Sequence, residues 1–281
     1  MFAKLLLLAA ALFVGGDGPT AKTDKSPNVT SEKGAASVAA TPSPQAQAQL
    51  KAAWQIKRAS FKKDPAEKQR ILEEAIGAFQ KVLDDYPQAR LEGGEACFRI
   101  GEIYRALKDE KRAVEHFTKA LEFAESPRFR ARSLLELGHI RRRHDDRQGA
   151  LTFYERVMQE HADQRNEASQ AMSWAGKTAL SMGDGEKGKK LLLDFEASYP
   201  EYPAAAIRNI DRVALWLVEA GRTEEAAALV DGCRERFTKK AETDPKAAPD
   251  IHKALARMKG ARGEAGEETE ASGDEEGIGG L

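Results

Sequence analysis

The sequence has few cysteines, few aromatic residues and almost no net charge. Its 281 residues include two Cys, and aromatic residues make up 7%. Lys and Arg number 44 and Asp and Glu number 45, so the formal net charge is −1. Two cysteines exclude a small disulfide-dense fold. A net charge this close to zero argues against a protein that binds nucleic acid through its overall charge.

The sequence also lacks an apolar run long enough to form a membrane span. The run from Leu5 to Val14 is about half of the ~20 residues that a spanning helix needs. It follows Lys4 and precedes Gly15-Gly16, which is the pattern of a secretory signal peptide. We therefore predict a signal peptide over residues 1–16 and an exported chain, periplasmic or secreted. An uncleaved anchor or an unstructured start is the alternative.

Charge is distributed unevenly along the chain. By the same count, residues 1–44 carry +1, residues 45–258 carry +3 and residues 259–281 carry −5. Residues 17–44 contain almost no bulky apolar side chain, which predicts a disordered linker. Residues 259–281 are rich in Gly and Glu and predict an acidic disordered tail.

Between these ends, small residues recur every 37 or 38 residues, and each is followed four positions later by a large apolar residue. The small residues are Ala75, Ala113, Ala150, Gly188 and Ala226. A fixed period of this length is typical of a solenoid, in which each repeat buries its apolar face against its neighbours. A second series, Gly101, Gly138, Gly176 and Ala214, precedes it, as expected where two helices cross closely.

Turn residues divide each repeat into two helices. Asp109, Asp146 and Asp184 are placed to cap the second helix of a pair, while Gly183 and Gly221 suit the left-handed residue after a helix end. Earlier, Asp64-Pro65 with Glu67 has the pattern of a capping box.

The first predicted helix carries Leu50, Ala53, Trp54, Lys57 and Phe61 on one face. Whether residues 45–63 form a full first-repeat helix or only a cap stays open. We predict a solenoid over 45–240, then a capping helix over 241–258 with Ile251, Leu255 and Met258 as its apolar stripe.

The helix pairs resemble the tetratricopeptide repeat. The residues that carry the resemblance are Gly101 with Tyr104, Ala113 with Phe117, and the closing Pro87 and Pro200. The long period and the Tyr-Pro closures are similar to repeats of bacterial cell-envelope proteins, among them a division coordinator that works with the Tol-Pal system and an outer-membrane assembly lipoprotein. The resemblance implies an all-α, right-handed α-solenoid of about five helix pairs, with first helices lining a concave groove.

Mapping the family's groove positions onto this chain gives three sets of residues, one on each of three consecutive first helices. They are Glu95, Phe98, Glu102 and Arg105; Arg132, Leu135, His139 and Arg142; and Gln170, Ser173, Lys177 and Leu180. The middle of this surface is basic, with Phe98 and Leu135 as apolar anchors, which suits an acidic or C-terminal peptide. The other interpretation is a set of ordinary solvated helix faces. No Asn stands where chaperone-binding members have their carboxylate clamp, so we predict no chaperone recognition.

No motif predicts catalysis, a metal or a cofactor. Residues 183–188 match GxGxxG, but a helix precedes them where a dinucleotide site needs a strand, so we predict a turn. His139 and His144 are five residues apart, a spacing that does not align two ligands on one helix face. Cys97 and Cys233 lie on apolar positions three repeats apart, and we expect free buried thiols.

Three hypotheses follow from the sequence. The first is an exported, non-catalytic scaffold that binds a protein or peptide in its groove. The second is a tail-regulated adaptor, in which the chain's own acidic tail folds back onto the basic groove. The third is an enzyme, or a subunit that positions an envelope enzyme, although no residues form a recognisable catalytic site.

Overall fold

The computed structural model describes residues 42–259, which form eleven α-helices and contain no strand. The expected all-α solenoid is confirmed, and the predicted signal peptide and almost all of the predicted tail lie outside the described residues. The helices are α1 (Pro44–Ala59), α2 (Pro65–Asp85), α3 (Arg90–Ala106), α4 (Glu110–Ala120), α5 (Pro127–Arg143), α6 (Arg147–Glu160), α7 (Arg165–Ser181), α8 (Gly185–Ser198), α9 (Pro203–Glu219), α10 (Thr223–Thr243) and α11 (Ala248–Ala256).

Consecutive helices pack as five pairs, from α1 with α2 to α9 with α10, and each pair packs against the next. Helix α1 packs along α2, which answers the question about residues 45–63: they complete the first pair rather than only capping it. Helix α11 packs against α9 and α10 and covers the last pair, with Ile251 and Met258 buried in the shared core.

The two helices of a pair lie in different layers. The backbone of each first helix (α1, α3, α5, α7, α9) lies close to the backbone of the next first helix. In the described chain, neighbouring second helices do not approach this closely and meet through side chains, such as Lys187 of α8 with Glu155 of α6. The first helices are therefore the more closely spaced layer and form the inner side of the stack. We call this side the first-helix face.

Small residues on the first helices set how closely each pair crosses. A Cβ atom built at Gly101 would lie 2.7 Å from the ring of Phe117, and one at Gly138 would lie 2.6 Å from the ring of Tyr154. At Gly176 the same atom would lie 2.6 Å from Leu192 Cγ. The predicted pairing of small and large residues at the helix crossings is therefore confirmed, and it fixes the tilt of every pair that carries the first-helix face.

The predicted helix caps are present. Asp64, Asp109, Asp146 and Asp184 each accept a hydrogen bond from a backbone N–H in the first turn of the second helix. The capping box at Asp64 is incomplete, because the carboxylate of Glu67 binds Lys63 Nζ at 3.0 Å.

Each turn within a pair contains one left-handed residue. Gly183 and Gly221 have φ of +84° and +74°, as predicted. Three other residues occupy the corresponding place with φ of 61°, namely Lys62, Lys108 and Asp145. Because Lys gives no signal of left-handed backbone, the sequence did not reveal that all five turns share one conformation.

The prediction for one residue of the first helix, Phe61, was wrong. Helix α1 ends at Ala59, with Ser60 as its C-cap, so Phe61 lies in the following turn and is 75% exposed. The turn needs the left-handed Lys62 next to it, which ends the helical register before Phe61 can reach the core. The start of the helix also differs by one residue from the predicted linker boundary, because Ser43 caps α1 and Pro44 opens it.

Cys97 and Cys233 are both buried and free, as expected. Burial raises the pKa of each thiol to about 11, so both remain protonated and unreactive at neutral pH. Within the described residues, no helix combines the length and apolarity needed to cross a bilayer.

Candidate functional site

The first helices carry a net positive charge, because they contain few acidic residues. The five of them contain sixteen Lys or Arg and seven Asp or Glu, a net charge of +9. The five second helices contain fifteen Lys or Arg and seventeen Asp or Glu, a net charge of −2. Within a chain whose net charge is −1, the first helices are therefore net positive and the second helices slightly negative.

Glu102 is the centre of an ion cluster that joins three first helices. Its carboxylate lies 2.8 Å from Lys57 Nζ on α1, 3.1 Å from Arg99 and 3.3 Å from Arg132 on α5. Burial raises the pKa of Glu102, but the three cations outweigh that effect and hold it below its usual value. Three of the positive charges at this end of the face are therefore held by one buried acid.

A second ion pair lies beside this cluster. Arg105 of α3 reaches Glu136 of α5 at 3.4 Å, and burial raises the pKa of Glu136, although the charge of Arg105 partly offsets it. Glu95 is bound within its own helix, 3.0 Å from Arg99. The predicted charged groove residues of α3, Glu95, Glu102 and Arg105, thus all pair with neighbouring charges.

The two predicted apolar anchors are not on the surface. Phe98 is fully buried against Phe117 and Phe129, with ring centroids 5.6 and 5.5 Å apart. Leu135 is 5% exposed and belongs to the core between α5 and α6. The prediction that these residues anchor a peptide was wrong, because Phe98 packs against α4 and α5 and Leu135 packs in the core with α6. Arg132 covers Phe98, its guanidinium carbon 4.3 Å from the ring centroid.

His139 is a structural residue rather than a cation of the groove. Its Nδ1 lies 2.8 Å from the hydroxyl of Tyr154, inside the α5–α6 pair. Burial, with the nearby charge of Arg142, lowers the pKa of His139 to about 3. The ring is therefore neutral at physiological pH and does not attract an acidic partner.

Trp174 on α7 is a partly buried aromatic residue of the face. The guanidinium carbon of Arg142 lies 4.7 Å from its ring centroid, and Lys177 Nζ lies 4.6 Å from it. His139 meets the same ring edge-on at 5.1 Å. An aromatic face flanked by two cations can contact an apolar side chain while the cations bind nearby carboxylates. We call Trp174, Arg142 and Lys177 the tryptophan cluster.

The predicted groove residues of α7 have mixed surroundings. Ser173 accepts a hydrogen bond at 2.9 Å from the side-chain amide of Asn209 on α9. Gln170 is half-buried, and Leu180 is 7% exposed and packs over Gly188. Of the α7 set, Lys177 is the residue whose charge reaches the surface of the tryptophan cluster.

Three residues of the first-helix face were missed by the sequence reasoning. Trp174 lies one residue after a mapped groove position, and its signal was the Lys three residues later on the same helix face. A step of 38 residues from Gln170 and Ser173 reaches Arg208 and Asp211 on α9, a first helix that the mapping did not include. Both extend the face toward the carboxyl end of the chain.

The predicted turn at residues 183–188 is confirmed. Helix α7 precedes it, Asp184 caps α8, and Gly188 packs against Leu180 as part of a helix crossing. In the described part of the chain, no group of three or more His, Cys, Asp or Glu is arranged to hold a metal ion. What the first-helix face offers chemically is a set of cations beside a partly exposed aromatic ring.

Comparison with known proteins agrees with this geometry. Residues 94–127, which contain α3 and α4, match the family model of the tetratricopeptide repeat. A solved structure of a putative kinesin light chain from Podospora anserina, with nearly identical repeats of this type, aligns with a TM-score of 0.50 at 14% identity, over 70% of this chain and 97% of that one. The chain has the tetratricopeptide-repeat fold.

Other solved structures align less closely with this tetratricopeptide-repeat chain. MamA aligns at 22% identity over 64% of this chain and 98% of that one, with a TM-score of 0.47. A thermophilic repeat protein from Thermus thermophilus aligns at 16% identity over 75% of this chain and 99% of that one, with a TM-score of 0.41. A search of the curated proteins finds no match. Tetratricopeptide-repeat solenoids are protein-interaction scaffolds, and their stacked helices offer an extended binding surface.

Proposed function

We propose that this protein is an exported, non-catalytic scaffold that binds an acidic peptide segment of a partner protein along its first-helix face. The observation that carries the proposal is the charge difference between the layers, +9 on the first helices and −2 on the second. An ordinary solvated solenoid does not require a charge difference between its two layers of helices.

The contact that fixes the peptide is the tryptophan cluster. Carboxylates of the peptide bind Arg142 and Lys177, and an apolar side chain of the peptide covers the ring of Trp174. The Glu102 cluster, in contrast, holds its cations in place and contributes rigidity rather than affinity. The binding site therefore lies toward the α5, α7 and α9 end of the face.

The experiment that tests this function is selection of binding sequences by the full chain from a display library of short peptides. We expect the selected sequences to be enriched in Asp and Glu and to contain an aromatic or aliphatic residue. The matched control replaces Lys190 and Lys239, two exposed lysines of second helices, by Gln and should select the same sequences. Selection of basic peptides, or of none above background, would contradict the proposal.

Export is the second part of the proposal and rests on Lys4, the apolar run from Leu5 to Val14 and Gly15-Gly16. The setting we favour is a bacterial cell-envelope complex, on the resemblance of the long repeats and Tyr-Pro closures. Mass spectrometry of the mature protein from fractionated cells tests it. We expect a new amino terminus near Asp17 in the envelope fraction, whereas an intact Met1 end in the cytosol would contradict export.

A further inference from the structure

The last described residue after α11 lies against a first helix. The backbone N–H of Lys259, the last described residue, donates a hydrogen bond at 3.0 Å to Asp211 Oδ1 on α9. Asp211 stands one 38-residue repeat after Ser173, so it shares its repeat position with a groove residue. The described part of the chain therefore ends against a first helix.

The segment that follows has the opposite charge to this face. Residues 260–281 contain one Arg and seven acidic residues, a net of −6. Helices α5, α7 and α9 together contain ten Lys or Arg and four Asp or Glu, a net of +6. The acidic residues are Glu264, Glu267, Glu268, Glu270, Asp274, Glu275 and Glu276.

The length of the segment matches the distance it has to cover. Neighbouring helix axes are about 8–10 Å apart, so α5 lies about 20 Å from α9. Five residues beyond 259 span up to about 17 Å when extended, and seventeen span up to about 58 Å. Glu264 can therefore reach α7, and the later acidic residues can reach Arg142 on α5.

We propose that residues 264–276 bind in cis to the first-helix face at the tryptophan cluster, where they compete with the partner peptide. The proposal rests on the proposed function, because it assigns an internal competitor to the same surface. A tethered segment has an effective concentration of about 1 mM. If the free segment binds with a dissociation constant of about 0.1 mM, the tether lowers the affinity for an external peptide about tenfold.

The direct test is zero-length carbodiimide cross-linking of the full chain at low concentration, followed by mass spectrometry of the monomer. Helices α5, α7 and α9 contain one lysine between them, Lys177. We expect it to be cross-linked to tail carboxylates in about 20 mM salt. The cross-link should disappear in about 0.5 M salt, which screens the attraction. Lys190 and Lys239 of the second helices are internal controls and should not be joined to the tail. Absence of the Lys177 cross-link at low salt would overturn the proposal.

A second measurement separates this proposal from the proposed function. Anisotropy of a labelled poly-glutamate peptide is titrated with the full chain and with a full-length variant whose seven tail acids are changed to Gln or Asn. We expect the variant to bind about tenfold more tightly, and equal affinity would overturn the internal competition while leaving the scaffold function standing. If neither chain binds the peptide, the proposed function fails, and the cross-link alone decides whether the tail occupies the face.

Discussion

The ring of Phe117 lies directly against the backbone of Gly101, so close that a methyl group at Gly101 would be 2.7 Å from two of its ring carbons. This contact repeats with Gly138 and Tyr154 in the next pair. It keeps the two helices of a pair close together and so determines how the first helices present their side chains.

Changing Gly101 to Ala should therefore destabilise the protein by about 1–3 kcal/mol, because the added methyl forces Phe117 out of its position. Gly77 of α2 is the matched control, since nothing lies within 4 Å of the corresponding methyl position. Gly77→Ala should stabilise by about 0.5–1 kcal/mol through helix propensity alone. Urea denaturation of both variants checks the pair, and equal effects would contradict the packing explanation.

The left-handed turns give a second pair of substitutions with opposite signs. Gly183 has φ of +84° and open space around it, so Gly183→Ala should cost about 1 kcal/mol through backbone strain alone. Lys108 holds the corresponding place with φ of 61°, and Lys108→Gly should stabilise by a few tenths to about 1 kcal/mol. Thermal unfolding followed by circular dichroism distinguishes the two, and a loss of stability in both would show that the turns are not equivalent.

The ion cluster around Glu102 predicts that replacing this carboxylate by an uncharged side chain lowers the free energy of unfolding. Glu102→Gln leaves Lys57, Arg99 and Arg132 facing one another, and loss of one partner from a buried pair costs about 3–5 kcal/mol. Glu95→Gln is the control, because that carboxylate pairs with one cation, Arg99 of its own helix, and an i,i+4 pair within one helix contributes about 0.3–0.5 kcal/mol. Denaturation at neutral pH measures both, and a Glu102→Gln cost below that of Glu95→Gln would contradict the central position of Glu102.

His139 predicts a pH dependence. Its pKa is about 3 in the folded chain and about 6.5 when unfolded, so between these values the unfolded chain binds more protons. Stability from this group is therefore fully present above pH 6.5 and falls as the pH is lowered toward 3. His139→Gln removes the dependence, so the stability difference between wild type and variant should shrink from pH 7 to pH 5. Since His116 and His161 stay in both chains, a constant difference would contradict the assignment.

The repeat architecture was accessible from the sequence because it depends on spacing. Small residues every 37 or 38 positions, each followed by a large apolar residue, record the helix crossings directly. The caps at Asp64, Asp109, Asp146 and Asp184 are local signals that need no tertiary information. Turn residues such as Lys62 and Lys108 carry no such signal, because a Lys side chain does not favour the left-handed backbone that both adopt.

The surface was harder to predict because it depends on contacts between repeats. The positions of Phe98 and Leu135 follow the family's groove, yet both side chains are buried, Phe98 against α4 and α5 and Leu135 in the core with α6. His139 looks like a groove cation, but its partner Tyr154 lies fifteen residues away on the second helix of the pair. The charge difference between the layers was present in the sequence, but it becomes visible only after each charged residue is assigned to a first or second helix.

The central claim is that an acidic peptide binds the tryptophan cluster on the first-helix face. The most direct measurement is titration of a poly-glutamate peptide with the full chain. Two proteins are compared, one in which the seven tail acids are neutralised and one that also carries Arg142→Gln and Lys177→Gln. The account predicts that the two added substitutions weaken binding about tenfold or more, and that Lys190→Gln with Lys239→Gln leaves it unchanged. Equal weakening by both pairs, or no effect of the first, would contradict the claim.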